Sequence, residues 1–166
     1  MIYHLSRRQK QHGFTIVELL IVIVVIGILA AITIVSFNGV SARATFAKEK
    51  SEMATINKAI RLYYSENGTY PSTGGTNTWS GFGQGQNFVP GLTPTYISKT
   101  PQLAPNSNID NSYLYTSNGT DYKLIRYSDN VNGLPSVQMN NSLTDPVRPA
   151  QSRGAWGYWT AGAATW

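Results

Sequence analysis

The strongest pattern in the chain is a run of apolar residues close to its N-terminus. Between Leu19 and Val35 the single polar residue is Thr33, and a basic, polar segment of a dozen residues comes before the run. As a helix, residues 16–35 would be about 30 Å long, which is the thickness of a bilayer core. The pattern predicts a membrane-spanning helix with Glu18 near its start, where a carboxylate is costly and usually marks function.

The pattern changes to an amphipathic one after the span. Apolar residues recur at alternating three- and four-residue steps on a charged surface, and Glu49 interrupts the series: Ala42, Phe46, Met53, Ile56, Ile60 and Tyr63. This spacing predicts a helix with one apolar stripe. Asn67-Gly68 supplies a left-handed stop and Pro71 prevents resumption, so one helix is expected over residues 14–67.

Polar and small residues dominate the next segment. Residues 72–87 are almost all Gly, Ser, Thr, Asn, Gln and aromatic, which predicts an irregular surface loop. A few apolar anchors follow it, namely Phe88, Val89, Leu92, Tyr96 and Ile97. We therefore expect the loop to be tied down at its far end.

The clearest strand signal is a hairpin. Two runs of alternating character, residues 113–116 and 122–127, flank the turn sequence Ser117-Asn118-Gly119-Thr120. Leu114 and Leu124 are the expected inward residues, and residues 155–160 predict a further strand. The fold class is therefore α+β, with a long N-terminal helix packed on a small antiparallel sheet of three or four strands.

The N-terminal residues also resemble a known family. Gly13-Phe14-Thr15-x-x-Glu18-Leu19-Leu20 with the apolar run behind it resembles the leader and N-terminal helix of type IV pilins and type II secretion pseudopilins. Residues 59–71 are similar to the helix-ending segment of major pseudopilins and small pilins. The resemblance implies that a prepilin peptidase cuts after Gly13 on the cytoplasmic side and that the new N-terminal Phe14 is methylated.

Electrostatics suggests a role for Glu18 independently of that resemblance. Cleavage would expose an α-amino group, with a pKa of about 8 in model peptides, four residues before Glu18. In a stack of parallel helices this amine could meet Glu18 of the neighbouring subunit. Because an unpaired buried charge is costly and a paired one is tolerable, Glu18 would select register in the assembly more than it would add net stability.

These expectations divide the chain into four parts. Residues 1–13 are the leader, 14–35 the transmembrane and assembly helix, 36–67 the amphipathic half of the helix, and 68–166 the loop and sheet of a head domain. An ordinary secretory signal peptide fits less well, because its cleavage site follows an apolar core of about 7 to 15 residues. A plain membrane anchor would leave the coincidence of Gly13, Phe14 and Glu18 unexplained.

Composition narrows the chemistry. Without Arg7, Arg8 and Lys10 of the leader, the formal charge of +5 becomes +2. So small a positive charge is only a weak argument that the protein binds nucleic acid, and the sequence leaves that question open. Both histidines, His4 and His12, also fall in the leader, and the chain has no cysteine. The remaining chain would lack imidazole bases, thiol nucleophiles and the usual zinc ligands, so we expect no enzyme. It also lacks the disulfide of many related pilins.

Metal binding has one weak candidate. Asn106, Asn108 and Asp110 alternate oxygen ligands as a calcium loop does, but Ser117 stands where a helix-loop-helix site needs glutamate. Such Asn/Asp clusters are more often turns, so we expect no cofactor, with calcium at these three residues as the exception. Glycan occupancy at acceptor patterns such as the one beginning at Asn140 is open.

The expected function is that of a structural subunit of a type IV pilus or related pseudopilus. The resemblance implies as partners copies of itself, other pilins, the prepilin peptidase, an inner-membrane assembly platform, and the membrane before assembly. It implies a single-pass cytoplasmic membrane protein with its head outside, later part of a surface pilus or an envelope pseudopilus. Major pilin, minor pilin and pseudopilin are not distinguished, nor are filament symmetry and roles in motility, DNA uptake, adhesion or secretion.

A membrane- or fibre-borne binding module, such as an adhesin or a DNA-binding minor pilin, is the alternative function. Its contact would be formed by exposed C-terminal aromatics and two arginines, Trp156, Trp159, Arg148 and Arg153. Core packing of these aromatics in the last strand is the favoured interpretation, because tryptophan is chiefly a large apolar body.

Overall fold

One long helix and four strands make up the architecture. The computed structural model describes residues 13–81, 84–103, 109, 111–128, 142–149 and 154–166. Helix α1 is Ile16–Asn67, and the strands are β1 (Gly75–Ser80), β2 (Ser112–Ser117), β3 (Tyr122–Ser128) and β4 (Gly154–Trp159). The chain divides into two compact units, Met1–Ser41 and Ala42–Trp166, with the boundary in the sequence of α1. We call the second unit the head.

Helix α1 ends where its sequence predicts. Gly68 has φ of +70°, a left-handed conformation that glycine adopts without steric cost. The Gly68 N–H donates to the Tyr64 carbonyl at 2.8 Å, and the Asn67 side-chain amide donates to the Tyr63 carbonyl at 2.9 Å. These bonds satisfy carbonyls that the last turn would otherwise leave open, which is why the chain stops here.

The sheet is fully antiparallel with the strand order β1-β2-β3-β4. The predicted hairpin is confirmed as β2 and β3, with Ser117 paired to Tyr122 and Gly119 at φ of +91°. In the turn, Asn118 Oδ1 accepts the N–H groups of Thr120 and Asp121 at 3.0 and 2.8 Å. The predicted C-terminal strand is confirmed as β4, so the α+β class is confirmed as well.

The prediction of an irregular loop is wrong for part of residues 72–87. Gly75–Ser80 form the edge strand β1, paired with β2 through an irregular register. Hydrogen bonds to β2 hold it, including Thr73 N–H to the Ser117 carbonyl at 3.0 Å and Thr116 Oγ1 to the Gly75 carbonyl at 2.9 Å. A polar edge strand gains its structure from its neighbour, so its own composition does not reveal it.

The apolar stripe of α1 packs on one face of the sheet, as predicted. Met53, Ile56 and Ile60 are fully buried, and Phe46 meets the Trp156 ring edge to face with centroids 5.2 Å apart. The sheet contributes five members of this core from alternate positions, and the segment between β1 and β2 contributes three more: Tyr113, Tyr115, Tyr122, Leu124 and Trp156, with Phe88, Val89 and Leu92. Helix and sheet thus share one hydrophobic core within the head.

Leu114 does not lie on that face, which corrects the prediction that placed it inward with Leu124. In the register of β2 and β3, Leu114 opposes Ile125 whereas Tyr115 opposes Leu124. Because successive residues of a strand point to opposite faces, Leu114 belongs to the far face. There it forms a second buried cluster with Ile125, Tyr127 and Ala155, against which Trp79 and Ile109 pack. Both faces of the sheet are therefore covered.

Glu49, which interrupts the stripe, has a partner across the core. It is 4% exposed, and its Oε2 accepts a hydrogen bond from Arg126 Nε of β3 at 3.2 Å. Arg126 in turn donates to Asn111 Oδ1 at 3.2 Å and to the Tyr127 carbonyl at 2.7 Å. A buried ion pair with its remaining groups satisfied is tolerable, so the acidic residue does not break the packing of α1.

Replacing Gly157 of β4 should strongly destabilise the head. A Cβ at Gly157 would lie 2.0 Å from the Leu124 carbonyl oxygen and 2.8 Å from Ile125 Cα, so the backbone of β3 would have to move. We expect Gly157→Ala to lower the unfolding free energy by about 3 kcal/mol, measured by thermal unfolding of the full chain in detergent. Gly39→Ala is the matched control, since its Cβ meets open space in α1 and alanine favours helix. Equal midpoints for the two variants would contradict this packing.

Three buried tyrosines bind protein acceptors through their hydroxyls. Tyr113 donates to Glu52 Oε2 at 2.6 Å, Tyr115 to the Pro71 carbonyl at 2.8 Å, and Tyr122 to Asn57 Oδ1 at 2.5 Å. Burial raises the pKa of all three phenols, chiefly because the phenolate would lose its hydration. These groups therefore stay protonated in the folded head at pH values that ionise exposed tyrosine.

The head should lose stability as the pH rises above about 10, the ordinary tyrosine pKa. There the unfolded chain releases phenolic protons that the folded head keeps, so each such tyrosine lowers the unfolding free energy by about 1.4 kcal/mol per pH unit. Lys123 acts in the opposite direction, because burial lowers the pKa of its ammonium. Denaturant titrations between pH 8 and 11 should show this fall in the unfolding free energy. Tyr122→Phe should make the fall shallower by about 1.4 kcal/mol per pH unit, the contribution of one proton. An unchanged slope in that variant would refute the account.

Candidate functional site

The start of α1 is closed by a reciprocal pair of hydrogen bonds between Thr15 and Glu18. The backbone N–H and the hydroxyl of Thr15 both donate to Glu18 Oε2 at 2.8 Å. The Glu18 N–H donates to Thr15 Oγ1 at 3.2 Å. With the helix beginning at Ile16, Thr15 is the N-cap and Glu18 the third helical residue, which is the geometry of a capping box. The carboxylate therefore satisfies donors that the first turn leaves open.

Sequence reasoning missed this capping role, although its signal is present. Thr15-x-x-Glu18 directly before an apolar run is the pattern of a capping box. The two other residues predicted for the N-terminal site lie just outside the cap. Gly13 and Phe14 precede the helix, and Phe14 is 91% exposed. The structure thus brings Thr15 and Glu18 together and leaves the Gly13-Phe14 bond accessible.

The segment after the cap is apolar on every side. Ile16–Thr33 has a mean hydropathy of 3.0 and is long and apolar enough to cross a membrane, and none of it is buried within the structure. Its one neutral polar residue, Thr33, donates its hydroxyl back to the Leu29 and Ala30 carbonyls at 3.1 and 2.9 Å. The hydroxyl needs no water, so the whole segment suits a bilayer or a packed bundle of apolar helices.

A second charged cluster lies in the head. Lys123 and Asp145 are both fully buried, with Nζ 2.8 Å from Oδ1. Arg148 donates to the other carboxylate oxygen of Asp145 at 2.8 Å, and the Val147 N–H donates to Oδ1 at 3.0 Å. Lys123 also donates to the Ala164 and Trp166 carbonyls at 3.2 and 2.8 Å. The cluster ties residues 145–148 and the end of the described chain to β3.

The binding surface suggested by the C-terminal aromatics is not formed as expected. Trp156 is fully buried in the core, so it cannot present its face to a ligand, which confirms the core interpretation for this residue. Arg148 is committed to Asp145 and also lies over the Trp79 ring, 5.2 Å from its centroid. Trp159 is half-buried with the Lys123 ammonium 5.5 Å from its ring centroid. Arg153 lies outside the described residues.

The calcium candidates are outside the part of the chain that the structure describes. Asn106, Asn108 and Asp110 all fall in its gaps. Asn111, which follows them, is described and accepts hydrogen bonds from both terminal nitrogens of Arg126 at 3.2 Å. The proposal of calcium at these three residues therefore stays a prediction.

Comparisons with known proteins find similarity in the N-terminal part of the chain. The family described as the prokaryotic N-terminal methylation motif matches residues 8–34. The type II secretion system core protein G of Klebsiella michiganensis is 37% identical over 67 residues, covering 40% of this chain and 47% of that protein. Its counterpart in Escherichia coli strain K12 is 36% identical over 64 residues, with coverages of 39% and 44%.

A fimbrial protein is among the relatives as well. Fimbrial protein EcpC of Eikenella corrodens is 38% identical over 65 residues, covering 39% of this chain and 42% of that protein. The chain thus spans less than half the length of each of these three relatives. No solved structure matches it.

Proposed function

We propose that this chain is a structural subunit of a pilus-like filament. The premise is that its N-terminal segment places it in the type IV pilin and pseudopilin family. The observation that carries the proposal is the exposed apolar stretch Ile16–Thr33, headed by the capping box of Thr15 and Glu18. This stretch lies wholly inside the matched residues 8–34. It needs apolar surroundings, which the bilayer supplies before assembly and neighbouring helices supply after it.

Processing would occur at an accessible bond. Cleavage between Gly13 and Phe14 would leave Phe14 as the residue directly before the N-cap, so the capping box would remain whole. The new α-amine, methylated and still positive, would then sit beside the helix start. Among the described residues, Glu18 receives its hydrogen bonds on Oε2, and Oε1 accepts none. That second oxygen is the one we assign to the amine of a neighbouring subunit.

The partners follow from this assembly. They are copies of the chain and other pilins, the prepilin peptidase, and the assembly platform of the inner membrane. Before assembly the chain would cross the cytoplasmic membrane once with its head outside. Relatives named as type II secretion core proteins and as a fimbrial protein support both a pseudopilus and a surface pilus. We propose no catalytic activity.

The N-terminal residue in fibres sheared from cells tests the proposal. We expect mass spectrometry to find methylated Phe14 there, and we expect Gly13→Val to keep its 13-residue leader and to stay in the membrane. A Cβ at Gly13 meets nothing within 4 Å, so a processing defect would reflect the peptidase and not a disturbed subunit. Gly27→Ala, also in open space, is the matched control and should be processed normally.

One result would overturn the proposal. If the native chain kept Met1, stayed in the membrane and was absent from sheared fibres, it would not be a filament subunit. A membrane-anchored binding protein would then be the better description.

A further inference from the structure

Four described carboxylates of the head lie buried or half-buried and bind groups within it, whereas Glu66 is exposed and accepts the Tyr96 hydroxyl at 2.9 Å. Glu49 pairs with Arg126, and Asp145 pairs with Lys123 and Arg148. Glu52 accepts the Tyr113 hydroxyl at 2.6 Å. Asp121, half-buried, accepts the Thr160 hydroxyl at 2.5 Å. Two cations, Lys123 and Arg126, are buried with these acids, whereas the described cations of α1 are exposed.

The outward cations of α1 form a row that we call the basic strip. It consists of Arg43, Lys50, Lys58 and Arg61, all exposed, and Ala47 and Ala54 lie between them. Steps of three and four residues place them on one face of the helix, about 120° around its axis from the buried stripe. The strip is about 27 Å long from Arg43 to Arg61. None of its four cations lies within 4 Å of a carboxylate of a described residue.

Composition distinguishes among the partners that such a strip could take. Protein interfaces are depleted in lysine and alanine and depend on aromatic anchors, which this face lacks. A helix that binds a lipid surface needs large apolar residues to insert, and here alanines separate the cations. A second copy in parallel orientation presents the same positive strip, so it would repel. Nucleic-acid phosphates require neither anchors nor apolar insertion, and lysine and arginine are their usual contacts.

We propose that the basic strip of α1 binds the phosphate backbone of nucleic acid without reading its sequence. Four cations in a row with small residues between them allow the helix to approach a charged backbone closely. The strip has no asparagine, glutamine or carboxylate side chain to read base edges, and its arginines and lysines are also the usual contacts of phosphates, so affinity should come mainly from charge. The proposal concerns the single subunit, and it holds whether or not the filament function does.

Fluorescence anisotropy of the full-length protein in nonionic detergent with a labelled 30-base-pair duplex tests the proposal. Four phosphate contacts predict a slope of log affinity against log salt of about −3.6, so raising salt from 50 to 200 mM should weaken binding about 150-fold. Two duplexes of unrelated sequence should bind equally. Lys50→Gln with Lys58→Gln removes two contacts and should weaken binding at 50 mM salt at least tenfold and bring the slope to about −1.8.

The chain offers a matched control for charge alone. Lys48 and Lys99 are exposed lysines off the strip, and Lys48 lies 3.9 Å from Glu52. Lys48→Gln with Lys99→Gln removes the same net charge and should leave affinity within about threefold and the slope near −3.6. Equal losses in the two double variants would overturn the proposal, since general charge would then explain binding. So would absence of binding at 50 mM salt, or competition by polyglutamate or anionic lipid micelles as effective per charge as that by DNA.

Discussion

Glu18→Gln should leave the subunit folded and inserted in the membrane but reduce its recovery in filaments about 100-fold or more. Glutamine serves in a capping box as glutamate does, so the bonds between residue 18 and Thr15 can persist in the variant. What the variant loses is the negative charge. An amine that enters an apolar bundle without its counter-ion costs about 3 kcal/mol or more, which corresponds to that loss in assembly. The ratio of subunit in sheared fibres to subunit in membranes measures the effect.

Thr15→Val is the control that separates capping from charge pairing. Valine has nearly the shape of threonine but no hydroxyl, so it removes two of the three bonds of the capping box. That loss should cost about 1 kcal/mol of helix stability while the carboxylate stays charged. We expect assembly within several-fold of the native chain. If Thr15→Val failed as completely as Glu18→Gln, or if Glu18→Gln assembled normally, Glu18 would act through the helix start and not through a neighbour's amine.

Local patterns made much of the fold predictable from the sequence. The apolar run, the stripe of α1 and the stop at Gly68 depend on residues a few positions apart, so their spacing is visible along the chain. The Asn118-Gly119 turn is equally local, and it fixes the pairing of β2 with β3. The N-terminal motif is local as well. The capping role of Glu18 is also readable there, from the spacing Thr15-x-x-Glu18 before the apolar run.

Features that depend on distant residues could not be predicted in this way. Gly75–Ser80 become a strand because β2 lies beside them, and their polar composition alone is that of a loop. Leu114 and Leu124 differ in face because of register, which depends on which residues oppose each other across the turn. The partner of Glu49 is 77 positions away on β3. The basic strip cannot be read from the net charge, because that sum also includes the acids that are buried in the head, such as Glu49 and Asp145.

Asp145→Asn should destabilise the head by about 3 to 5 kcal/mol, the usual cost of leaving a buried charge without its partner. Lys123 is fully buried, and its ammonium would keep its hydrogen bonds to the Ala164 and Trp166 carbonyls but lose its counter-ion. Arg148 can turn toward solvent, because its side chain is 22% exposed. The thermal midpoint of the full chain in detergent should fall by roughly 10 °C or more.

A second variant identifies the buried charge as the cause. Lys123→Met combined with Asp145→Asn removes both charges of the buried pair, and the asparagine oxygen can still accept the Val147 N–H. We expect this double variant to be more stable than Asp145→Asn alone. Burial already lowers the pKa of Lys123, and removing Asp145 should lower it further. The lysine of the unfolded variant then holds its proton at pH values where that of the folded variant has released it, so the variant gains stability as the pH rises. The loss of unfolding free energy in Asp145→Asn relative to the native chain should therefore shrink between pH 7 and 9. A loss of unfolding free energy that is independent of pH and persists in the double variant would instead indicate lost hydrogen bonds around residue 145.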